Sequence, residues 1–428
     1  MSLLIKNATI VNADKKYSKM KDILIDKGII EKIASKIKNT NNVKEIDATG
    51  KLVLPGLIDL HAHFREPGRE DKETIETGSM AAAKGGFTTV MCMPNTTPVI
   101  DNCMIVEAVL KEAKRVGLIN VIPIGSITKG QKDQELSDIM ELKKAGCLAI
   151  SDDGKSVFNA KLIRLALQYS EMAGMLVIEH CQDPDLFGDG VMNEGETSTL
   201  LGLKGDPAVS ETAIIARDIE IVRYLNARLH LAHISLKRSV EIIRLAKKDG
   251  VRITAEVCPH HFTLTEEAVK GFDTNTKVNP ALRLQEDVDA LKQALKDGTI
   301  DCVSTDHAPH TVEEKELDFD HAPFGMIGLE TALGLAISEL VDKKILTWSN
   351  LVEKMSSNPA KIIGLDKKGE IKEGFDADIV IVDSDQAWEV RADDFVSKSK
   401  NSPFIGKTLK GCVEVTICGG TVSYRFKE

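Results

Sequence analysis

The sequence predicts an α/β fold, namely a (β/α)8 barrel of the TIM type with a small discontinuous β-sandwich domain formed by both termini. From residue 54 onward, eight short apolar runs alternate with stretches in which apolar residues recur every three or four positions. This is the pattern of parallel strands alternating with helices. Residues 1–53 and 369–428 instead alternate apolar and polar residues in short runs, which is typical of antiparallel strands. We therefore predict a barrel domain at 54–368 and a composite domain at 1–53 plus 369–428.

An open, doubly wound sheet is the competing arrangement for the central region. Such a sheet usually carries a glycine-rich phosphate loop after its first strand. Here that position holds His61-Ala-His63, and neither G-x-G-x-x-G nor G-x-x-x-x-G-K-[ST] occurs in the sequence. The barrel is therefore favoured.

Each element of the barrel is predicted from its own run of residues. Strands are predicted at Leu54–Leu60, Phe87–Met93, Val121–Ile127, Cys147–Ser151, Met175–Glu179, Arg228–Ala232, Arg252–Cys258 and Ile300–Thr305. Amphipathic helices are predicted at Glu73–Lys84, Ile105–Arg115, Lys161–Met172, Ser210–Asn226, Ser239–Lys248 and Glu286–Lys296. Two connections, 181–206 and 307–326, are long, and loops of that length are usually functional or disordered. Both follow strands that end in candidate metal ligands, which favours a functional role.

Composition limits the classes of function. The chain is 43% hydrophobic and 28% charged, which is ordinary for a globular protein. A net charge of −10 and 4% aromatic residues argue against a nucleic-acid partner, which calls for a basic face and stacking platforms. The sequence has no run of about 18 apolar residues that would predict a membrane span, and its N-terminus lacks a signal peptide's apolar core. The eight cysteines include no C-x-x-C pair, so a cytoplasmic protein with reduced thiols is expected.

Two histidines follow the first predicted strand. Residues two apart in an extended strand point the same way, so His61 and His63 present two imidazoles side by side where the strand meets a loop. Neutral imidazole is the commonest side-chain ligand of divalent metals. Two ordinary surface histidines are the competing interpretation, and the remaining candidate ligands decide between the two.

Four further strands end in histidine or aspartate. These residues are Asp152 and Asp153 after strand four, His180 after strand five, His233 after strand six and Asp306 after strand eight. Since the carboxyl ends of barrel strands build the active site, we expect these side chains to converge at one rim. Histidines scattered through loops and core would not be placed in this way.

Four histidines and two aspartates are enough to hold two divalent ions if one carboxylate bridges them. Nitrogen and oxygen ligands fit zinc, and also manganese, cobalt or iron. Coordination lowers the pKa of water from about 15.7 towards 7, which supplies a nucleophile for an amide-type carbonyl. A neighbouring carboxylate can collect and return the proton.

Four motifs occur in order along the chain. They are Asp59-Leu-His61-Ala-His63-Phe-Arg65-Glu-Pro-Gly68, Met93-Pro-Asn95-Thr96, Ser151-Asp152-Asp153-Gly154 and Thr305-Asp306-His307-Ala-Pro-His310. Together they resemble the dihydroorotases, in particular the bacterial type, of the metal-dependent amidohydrolase superfamily. The resemblance continues to Gly374-Phe-Asp-Ala-Asp-Ile-Val-Ile-Val-Asp383 and so covers nearly the whole chain. It implies the reversible cyclisation of N-carbamoyl-L-aspartate to L-dihydroorotate, a step of de novo pyrimidine synthesis.

The resemblance also implies a set of metal ligands. His61, His63 and Asp306 would hold one zinc ion, and His180 and His233 a second. Many superfamily members bridge the two ions with a carboxylated lysine, but this chain has aspartates there and Lys155 comes too late to sit at the strand end. By position, Asp153 is expected to bridge two Zn2+ per subunit, and Asp152 is expected to cap a loop.

The same resemblance implies the residues that meet the substrate. Asp306 fits the proton shuttle, because it is both a metal ligand and adjacent to the substrate. Arg65, Asn95 and His310 are placed on the substrate carboxylate, and Arg65 offers the fork geometry that a carboxylate accepts. The ring amides would be read by Asn279 and by the backbone at Phe324 and Gly325. His63 is counted both as a ligand and as a substrate-binding residue.

Three other histidines receive structural expectations. His260 and His261 follow strand seven without a matching role and are expected to be structural. His230 precedes His233 by three residues, so it is expected below the metals or outside the barrel. For Arg65, a surface ion pair with Glu66 or Glu70 is the interpretation that competes with binding of the substrate carboxylate.

Two other functions are weighed. Hydantoinases and allantoinases are related cyclic amidohydrolases, but they generally use the bridging lysine and differ from this chain in the first two motifs. A non-catalytic subunit that scaffolds aspartate transcarbamoylase would be expected to lack metal ligands, whereas all six candidates are present. A homodimer and association with that transcarbamoylase are the expected protein partners, with a small-molecule substrate and neither nucleic acid nor membrane.

Overall fold

The computed structural model describes residues 2–14, 20–39 and 43–426. Over these residues the strands are β1 Leu3–Ile10, β2 Met20–Asp26, β3 Ile29–Ala34, β4 Lys44–Asp47, β5 Leu52–Pro55, β6 Leu57–Ala62, β7 Phe87–Cys92, β8 Asn120–Pro123, β9 Ala149–Ile150, β10 Leu176–Glu179, β11 Met192–Asn193, β12 Gly205–Asp206, β13 Leu229–Leu231, β14 Ile253–Val257, β15 Cys302–Val303, β16 Ile379–Glu389, β17 Thr408–Cys418 and β18 Thr421–Arg425.

The helices alternate with the central strands. They are α1 Ile75–Lys84, α2 Cys103–Val116, α3 Ile139–Ala145, α4 Ala160–Ala173, α5 Pro184–Phe187, α6 Glu196–Leu201, α7 Val209–Leu225, α8 Lys237–Lys248, α9 Gln285–Asp297, α10 Val312–Lys315, α11 Ala332–Ala336, α12 Trp348–Val352 and α13 Asn358–Ile363. π-Helical turns at Ile337–Val341 and Glu353–Ser357 continue α11 and α12. The predicted α/β class is confirmed.

The two ends of the chain share one sheet. Its strand order is β18-β17-β16-β5-β1-β2-β3, and β4 pairs with β1. Isoleucine and valine side chains from both ends form its core, among them Ile5, Ile25, Ile379 and Val415. The prediction of purely antiparallel pairing is wrong in part, because β1 pairs in parallel with both β4 and β5.

The central strands are all parallel. Strands β6-β7-β8 form one sheet, and β15-β14-β13-β10-β9 form another. Isolated parallel bridges connect Gly125 with Ile150 and Ala62 with His307. These bridges link the two sheets at both of their edges, so all eight strands present their carboxyl ends on the same side.

The predicted strand Leu54–Leu60 is two strands. Leu54 and Pro55 pair with Val380 and Ile379 of β16 in the terminal sheet, and β6 begins only at Leu57. The break falls at Gly56, where an added Cβ would lie 2.1 Å from the Thr88 hydroxyl oxygen. Only a residue without a side chain fits where the chain crosses between sheets.

Two apolar clusters hold the central strands in place. The larger lies between the strands and helices and includes Leu57, Phe87, Val177 and Val257. A smaller one gathers Ile58, Leu60, Met91, Ile178 and Cys302 with residues of α13. Leu57 and Ile58 point to different clusters, because successive strand residues face opposite sides. Among the described residues, no helix is both long and apolar enough to cross a membrane.

Candidate metal centre

Four side chains from three strand ends meet below a cavity. The Nε2 atom of His61 lies 3.2 Å from Oδ1 of Asp153 and 3.5 Å from Oδ1 of Asp306. The Nε2 atom of His63 lies 3.1 Å from Oδ1 of Asp306 and 3.4 Å from Oδ2 of Asp153. The carboxylates of Asp153 and Asp306 thus face the same two imidazoles, as the sequence leads one to expect of residues that share a cation.

Two further histidines complete the cluster. Nδ1 of His180 lies 2.8 Å from Nε2 of His233, and these atoms lie 3.7 and 3.5 Å from Oδ1 of Asp153. All of the His180, His233 and Asp153 side chains are buried. Asp153 therefore stands between the His61 and His63 pair and the His180 and His233 pair, which is the position that a bridging carboxylate requires.

The donor atoms of this cluster fit a cation. Nε2 of His61 and Oδ1 of Asp153 are buried without a hydrogen-bond partner among the described residues, and such atoms are costly unless something satisfies them. Burial by itself lowers the pKa of His61, but Asp153, Glu256 and Asp306 raise it well above its usual value. The three carboxylates therefore favour positive charge at this point, and a divalent ion would supply it.

The two aspartates are held ionised. Burial opposes ionisation of Asp153, but the charge on His61 and the nearby imidazoles of His180 and His233 hold its pKa well below the usual range. Burial also opposes ionisation of Asp306, but its hydrogen bond with His63 and the charge on His61 lower its pKa as well. Both carboxylates are thus in the form that binds a metal.

The backbone is strained at three residues of the site. Arg65, His233 and Asp306 have φ angles of 61°, 33° and 47°, in the left-handed region that side chains other than glycine seldom adopt. Each such residue costs about 1–3 kcal/mol and persists only where the surroundings impose it. The strain turns these side chains towards the cavity just after the strands end.

A cavity of about 180 Å³ opens above the cluster. Eleven of the twelve residues predicted for the site line it, and the twelfth, His61, is fully buried beneath. The lining residues are His63, Arg65, Asn95, Asp153, Gly154, His180, His233, Asn279, Asp306, Ala308, His310, Phe324 and Gly325. Gly154 and Ala308 were not predicted; they follow Asp153 and His307 in motifs already singled out.

Arg65 lies at the side of the cavity near the 307–326 connection. Its Nε donates to the carbonyl of Pro309 at 3.2 Å, and one terminal nitrogen lies 3.4 Å from Nε2 of His310. Nε2 of His310 donates to the carbonyl of Phe324 at 2.8 Å. Arg65 forms no ion pair with Glu66 or Glu70 among the described residues, so the surface ion pair is not observed.

Asn95 and Asn279 each support a histidine of the cluster. Nδ1 of His63 lies 2.8 Å from Oδ1 of Asn95. Asn279 exchanges hydrogen bonds of 2.7 and 2.9 Å with Gln182, and its Nδ2 lies 3.4 Å from Nε2 of His180. Gln182 was missed by the sequence analysis, although it lies two residues beyond His180.

Glu256 is the main residue that the sequence analysis missed. Its carboxylate lies 2.8 Å from Nδ1 of His61 and 3.1 Å from Nε2 of His230, with all three side chains fully buried. A glutamate inside the apolar run 252–258 was the available signal. His230, which was expected below the metals or outside the barrel, is buried, and Glu256 lies between it and His61. Asp152 accepts hydrogen bonds from the backbone of Ile127 and Thr128, which is the expected loop cap.

Comparisons of sequence place this chain among known proteins. The family described as "Dihydro-orotase-like" matches residues 50–239, and the "Amidohydrolase family" matches residues 253–424. A dihydroorotase of Endomicrobium trichonymphae is 52% identical over 99% of this chain and 100% of its own. A dihydroorotase of Geobacter metallireducens is 49% identical with the same coverage.

Solved structures of cyclic amidohydrolases share the fold. An L-hydantoinase (dihydropyrimidinase) from Arthrobacter aurescens has a TM-score of 0.89 at 26% identity and covers 100% of this chain and 96% of its own. A D-hydantoinase (dihydropyrimidinase) from Thermus sp. has a TM-score of 0.83 at 27% identity and covers 100% and 97%. The sequence identity to the dihydroorotases is about twice as high. The chain therefore belongs to the dihydroorotase family of cyclic amidohydrolases.

Proposed function

We propose that this protein catalyses the reversible cyclisation of N-carbamoyl-L-aspartate to L-dihydroorotate and water in de novo pyrimidine synthesis. The observation that carries the proposal is one cavity with His and Asp side chains on its floor and a half-buried arginine at its side. The floor suits a cyclic amide that is opened by hydrolysis, and the arginine suits the carboxylate of the same substrate. Full-length relatives named dihydroorotase support this assignment.

The fold that presents this site is proposed to be a (β/α)8 barrel at 54–368, with a composite β-sandwich domain at 1–53 plus 369–428. The two bridges between the parallel sheets support closure of the eight strands into a barrel. The shared terminal sheet supports the composite domain, and the pairing of β5 extends that sheet to Pro55. In such a barrel the active site lies at the carboxyl ends of the strands.

The cofactor is proposed to be two Zn2+ per subunit. His61, His63 and Asp306 would hold one ion, His180 and His233 the other, and Asp153 would bridge them. Bound divalent zinc supplies a hydroxide nucleophile at neutral pH and polarises the amide carbonyl. The unpartnered Nε2 of His61 and Oδ1 of Asp153 support this assignment.

Asp306 is proposed to move the proton. Its carboxylate lines the cavity and is held ionised, so it can accept a proton from the attacking water. It returns this proton to the ring nitrogen as the carbon–nitrogen bond breaks. In the direction of cyclisation, the same carboxylate takes the proton from the carbamoyl nitrogen.

The substrate carboxylate is proposed to bind Arg65, Asn95 and His310, and the ring amides Asn279 and the backbone at Phe324 and Gly325. Arg65 is half-buried, and desolvation lowers the pKa of its guanidinium to about 10, so it remains charged at neutral pH. Since His63 occupies Oδ1 of Asn95, the Nδ2 group of Asn95 is the part left for substrate. His63, which also lines the cavity, is included in both sets of residues.

The setting of the reaction completes the proposal. We propose a cytoplasmic homodimer that acts on a small-molecule substrate and that can associate with aspartate transcarbamoylase. Light scattering of the purified protein, alone and mixed with the transcarbamoylase, measures both assemblies.

A substrate panel tests the reaction. Purified protein is assayed with dihydroorotate, hydantoin and allantoin after removal and replacement of zinc. We expect turnover of dihydroorotate that disappears on chelation and returns with zinc. Preference for hydantoin would instead support a hydantoinase, which the hydantoinase structures make the second candidate. That alternative calls for a bridging lysine, whereas this chain has Asp152-Asp153 after strand four and its next lysine, Lys155, is exposed.

Two variants test the roles of the residues. Asp306→Ala and His180→Ala are each expected to reduce turnover by about 10²-fold or more. Asp189→Asn, on the exposed surface of the 181–206 connection, is the control and should retain full activity. Normal activity in both site variants would reject the mechanism, and a metal-free, inactive wild-type protein would support the scaffold alternative.

A further inference from the structure

A second group of metal-binding side chains lies in the turn after β14. The ligand atoms of Cys258, His260 and His261 all lie within 4.8 Å of one another. The turn is closed by a hydrogen bond of 3.0 Å from the amide of His261 to the carbonyl of Cys258. This bond folds the sequence Cys-Pro-His-His back on itself and brings the thiol and both imidazoles together.

These side chains are buried with unused donor atoms. Cys258 is 0% exposed, and both histidines are 2% exposed. Nε2 of His260 and Nδ1 of His261 have no hydrogen-bond partner among the described residues. His261 donates from Nε2 to the carbonyl of Pro280 at 2.9 Å, so its Nδ1 carries a lone pair. Buried imidazole nitrogens without a partner are unusual and call for an explanation.

A neighbouring group of similar composition shows the contrast. His230, Glu256 and Cys302 also have ligand atoms within 4.8 Å. There, however, Nδ1 of His230 is hydrogen-bonded to the hydroxyl of Thr254, and its Nε2 is hydrogen-bonded to the carboxylate of Glu256. Since both of its imidazole nitrogens already have partners, this group does not need a cation. The Cys258 group, in contrast, keeps two imidazole nitrogens without a partner among the described residues.

The protonation states also suit a ligand set of two imidazoles and a thiolate. Burial lowers the pKa of His260 to about 4 and holds the pKa of His261 well below its usual value, so both are neutral at pH 7. Burial raises the pKa of the Cys258 thiol, so a cation must displace its proton. Zinc does this readily, since it binds thiolate and imidazole together.

We propose that Cys258, His260 and His261 form a zinc site in the turn after β14, separate from the proposed binuclear centre. On binding, a bond forms between the metal and Sγ of Cys258, the thiol proton passes to solvent, and nothing is oxidised or reduced. Three protein ligands leave one position of a tetrahedral ion for a water molecule. The site stabilises the turn that follows β14, and it stands independently of the reaction proposed above.

Cobalt substitution tests this site without reference to activity. The apoprotein is titrated with Co2+ while the near-ultraviolet spectrum is recorded. Thiolate ligation gives an intense charge-transfer band that nitrogen and oxygen ligands do not give. The proposed binuclear centre has no cysteine, so the wild-type protein should show this band only if a second kind of site exists. About three equivalents of metal per chain are expected, and a wild-type spectrum without the band overturns the proposal.

Two variants assign the band to a residue. Cys258→Ala should abolish it and remove one equivalent of metal, whereas Cys302→Ala, a matched buried cysteine, should leave both unchanged. If Cys258→Ala does not fold, Cys258→Ser keeps the volume and gives the same comparison. Persistence of the band without the Cys258 thiol, or its loss in Cys302→Ala, places the thiolate elsewhere and rejects the site. A wild-type protein that shows the band but does not turn over dihydroorotate would count against the proposed reaction and not against this metal site.

Discussion

Oε1 of Glu256 lies 2.8 Å from Nδ1 of His61, and both side chains are fully buried. A carboxylate in this position accepts a hydrogen bond from Nδ1–H, which keeps the proton on Nδ1 and leaves the lone pair of His61 on Nε2. That nitrogen points at Asp153, 3.2 Å away. Glu256 therefore sets the orientation and tautomer of a proposed metal ligand without touching the cavity.

Glu256→Gln should weaken metal binding. An amide oxygen accepts the hydrogen bond from His61 less strongly than a carboxylate does. Loss of a residue that hydrogen-bonds a metal ligand typically costs about 10–100-fold in metal affinity. Competition with a chelator measures the affinity. Glu211→Gln is the control, because this buried glutamate accepts hydrogen bonds from the hydroxyls of Ser235 and Ser239 and is not hydrogen-bonded to a histidine. Unchanged affinity in Glu256→Gln would mean that His61 needs no such partner.

Gly78→Ala should destabilise the protein although it lies in a helix. Alanine normally favours a helix interior over glycine by about 1 kcal/mol. At Gly78, however, the new Cβ would lie 2.6 Å from the ring of Phe64, next to His63. Overpacking of this kind costs about 1–3 kcal/mol in free energy of unfolding.

Urea unfolding and metal content of Gly78→Ala provide the measurement. Met80→Ala, at an exposed position of the same helix, is the control and should leave both quantities unchanged. A Gly78→Ala protein that is more stable than wild type would show that the Phe64 ring can move aside.

Asp206→Asn should destabilise the 181–206 connection. Asp206 and Arg283 form a buried ion pair of 2.8 Å, with side chains 1% and 2% exposed. Removing one charge leaves the other buried without its partner, which costs about 3–5 kcal/mol. Limited proteolysis and urea unfolding measure the effect.

Asp189→Asn is the matched control for this pair. Asp189 pairs with Lys204 at the same distance of 2.8 Å and in the same connection, but both side chains are largely exposed. Solvent screens such a pair, so the variant should unfold like the wild type. Equal effects of the two variants would contradict the role given to burial.

Lys315 should make stability depend on pH. Burial lowers its pKa from 10.5 to about 7, while its amine donates to the carbonyls of Thr274 and Pro323. Between these pH values the unfolded chain binds a proton that the folded chain has released, so the stability contributed at this residue rises with pH. Below pH 7, Lys315 is protonated in both the folded and the unfolded state, so the folded protein bears the full cost of burying its charge.

Comparison with Lys315→Met isolates this effect. The difference in free energy of unfolding, wild type minus variant, should increase from pH 7 to 9 by at most about 1.4 kcal/mol per pH unit. The variant cancels the contributions of other titrating groups. A difference that does not change with pH would show that Lys315 stays protonated in the folded protein.

The convergence of the site could be predicted because it depends on local patterns. Each strand of the central region is an apolar run, and the residue that follows such a run must lie at the carboxyl end. Asp153, His180, His233 and Asp306 follow strands in this way, His61 lies near the end of β6, and all five lie together in the structure. The family motifs then identified Arg65, Asn95 and His310 at the cavity.

Contacts between distant segments could not be predicted. The alternation of side chains along β14 predicts that Glu256 points to the opposite face from Ala255 and Val257. It does not reveal that Glu256 contacts His61 and His230. Pro55-Gly56 marks a break within the apolar run 52–60, but nothing local shows that the residues before it pair with β16 in another sheet. The parallel pairing of β1 with β5 likewise depends on strands more than 40 residues apart.

Strand β5 lies between β1 and β16, so the interior of the terminal sheet joins residues near 10 and 53 to residues near 380. During synthesis on the ribosome, β1 and β5 emerge long before β16 exists to cover the free edge of β5. Until then that edge offers unpaired backbone groups to any other extended chain. Nascent fragments that end before Ile379 should therefore be the aggregation-prone species, and chaperone capture should cease once β16 has left the exit tunnel.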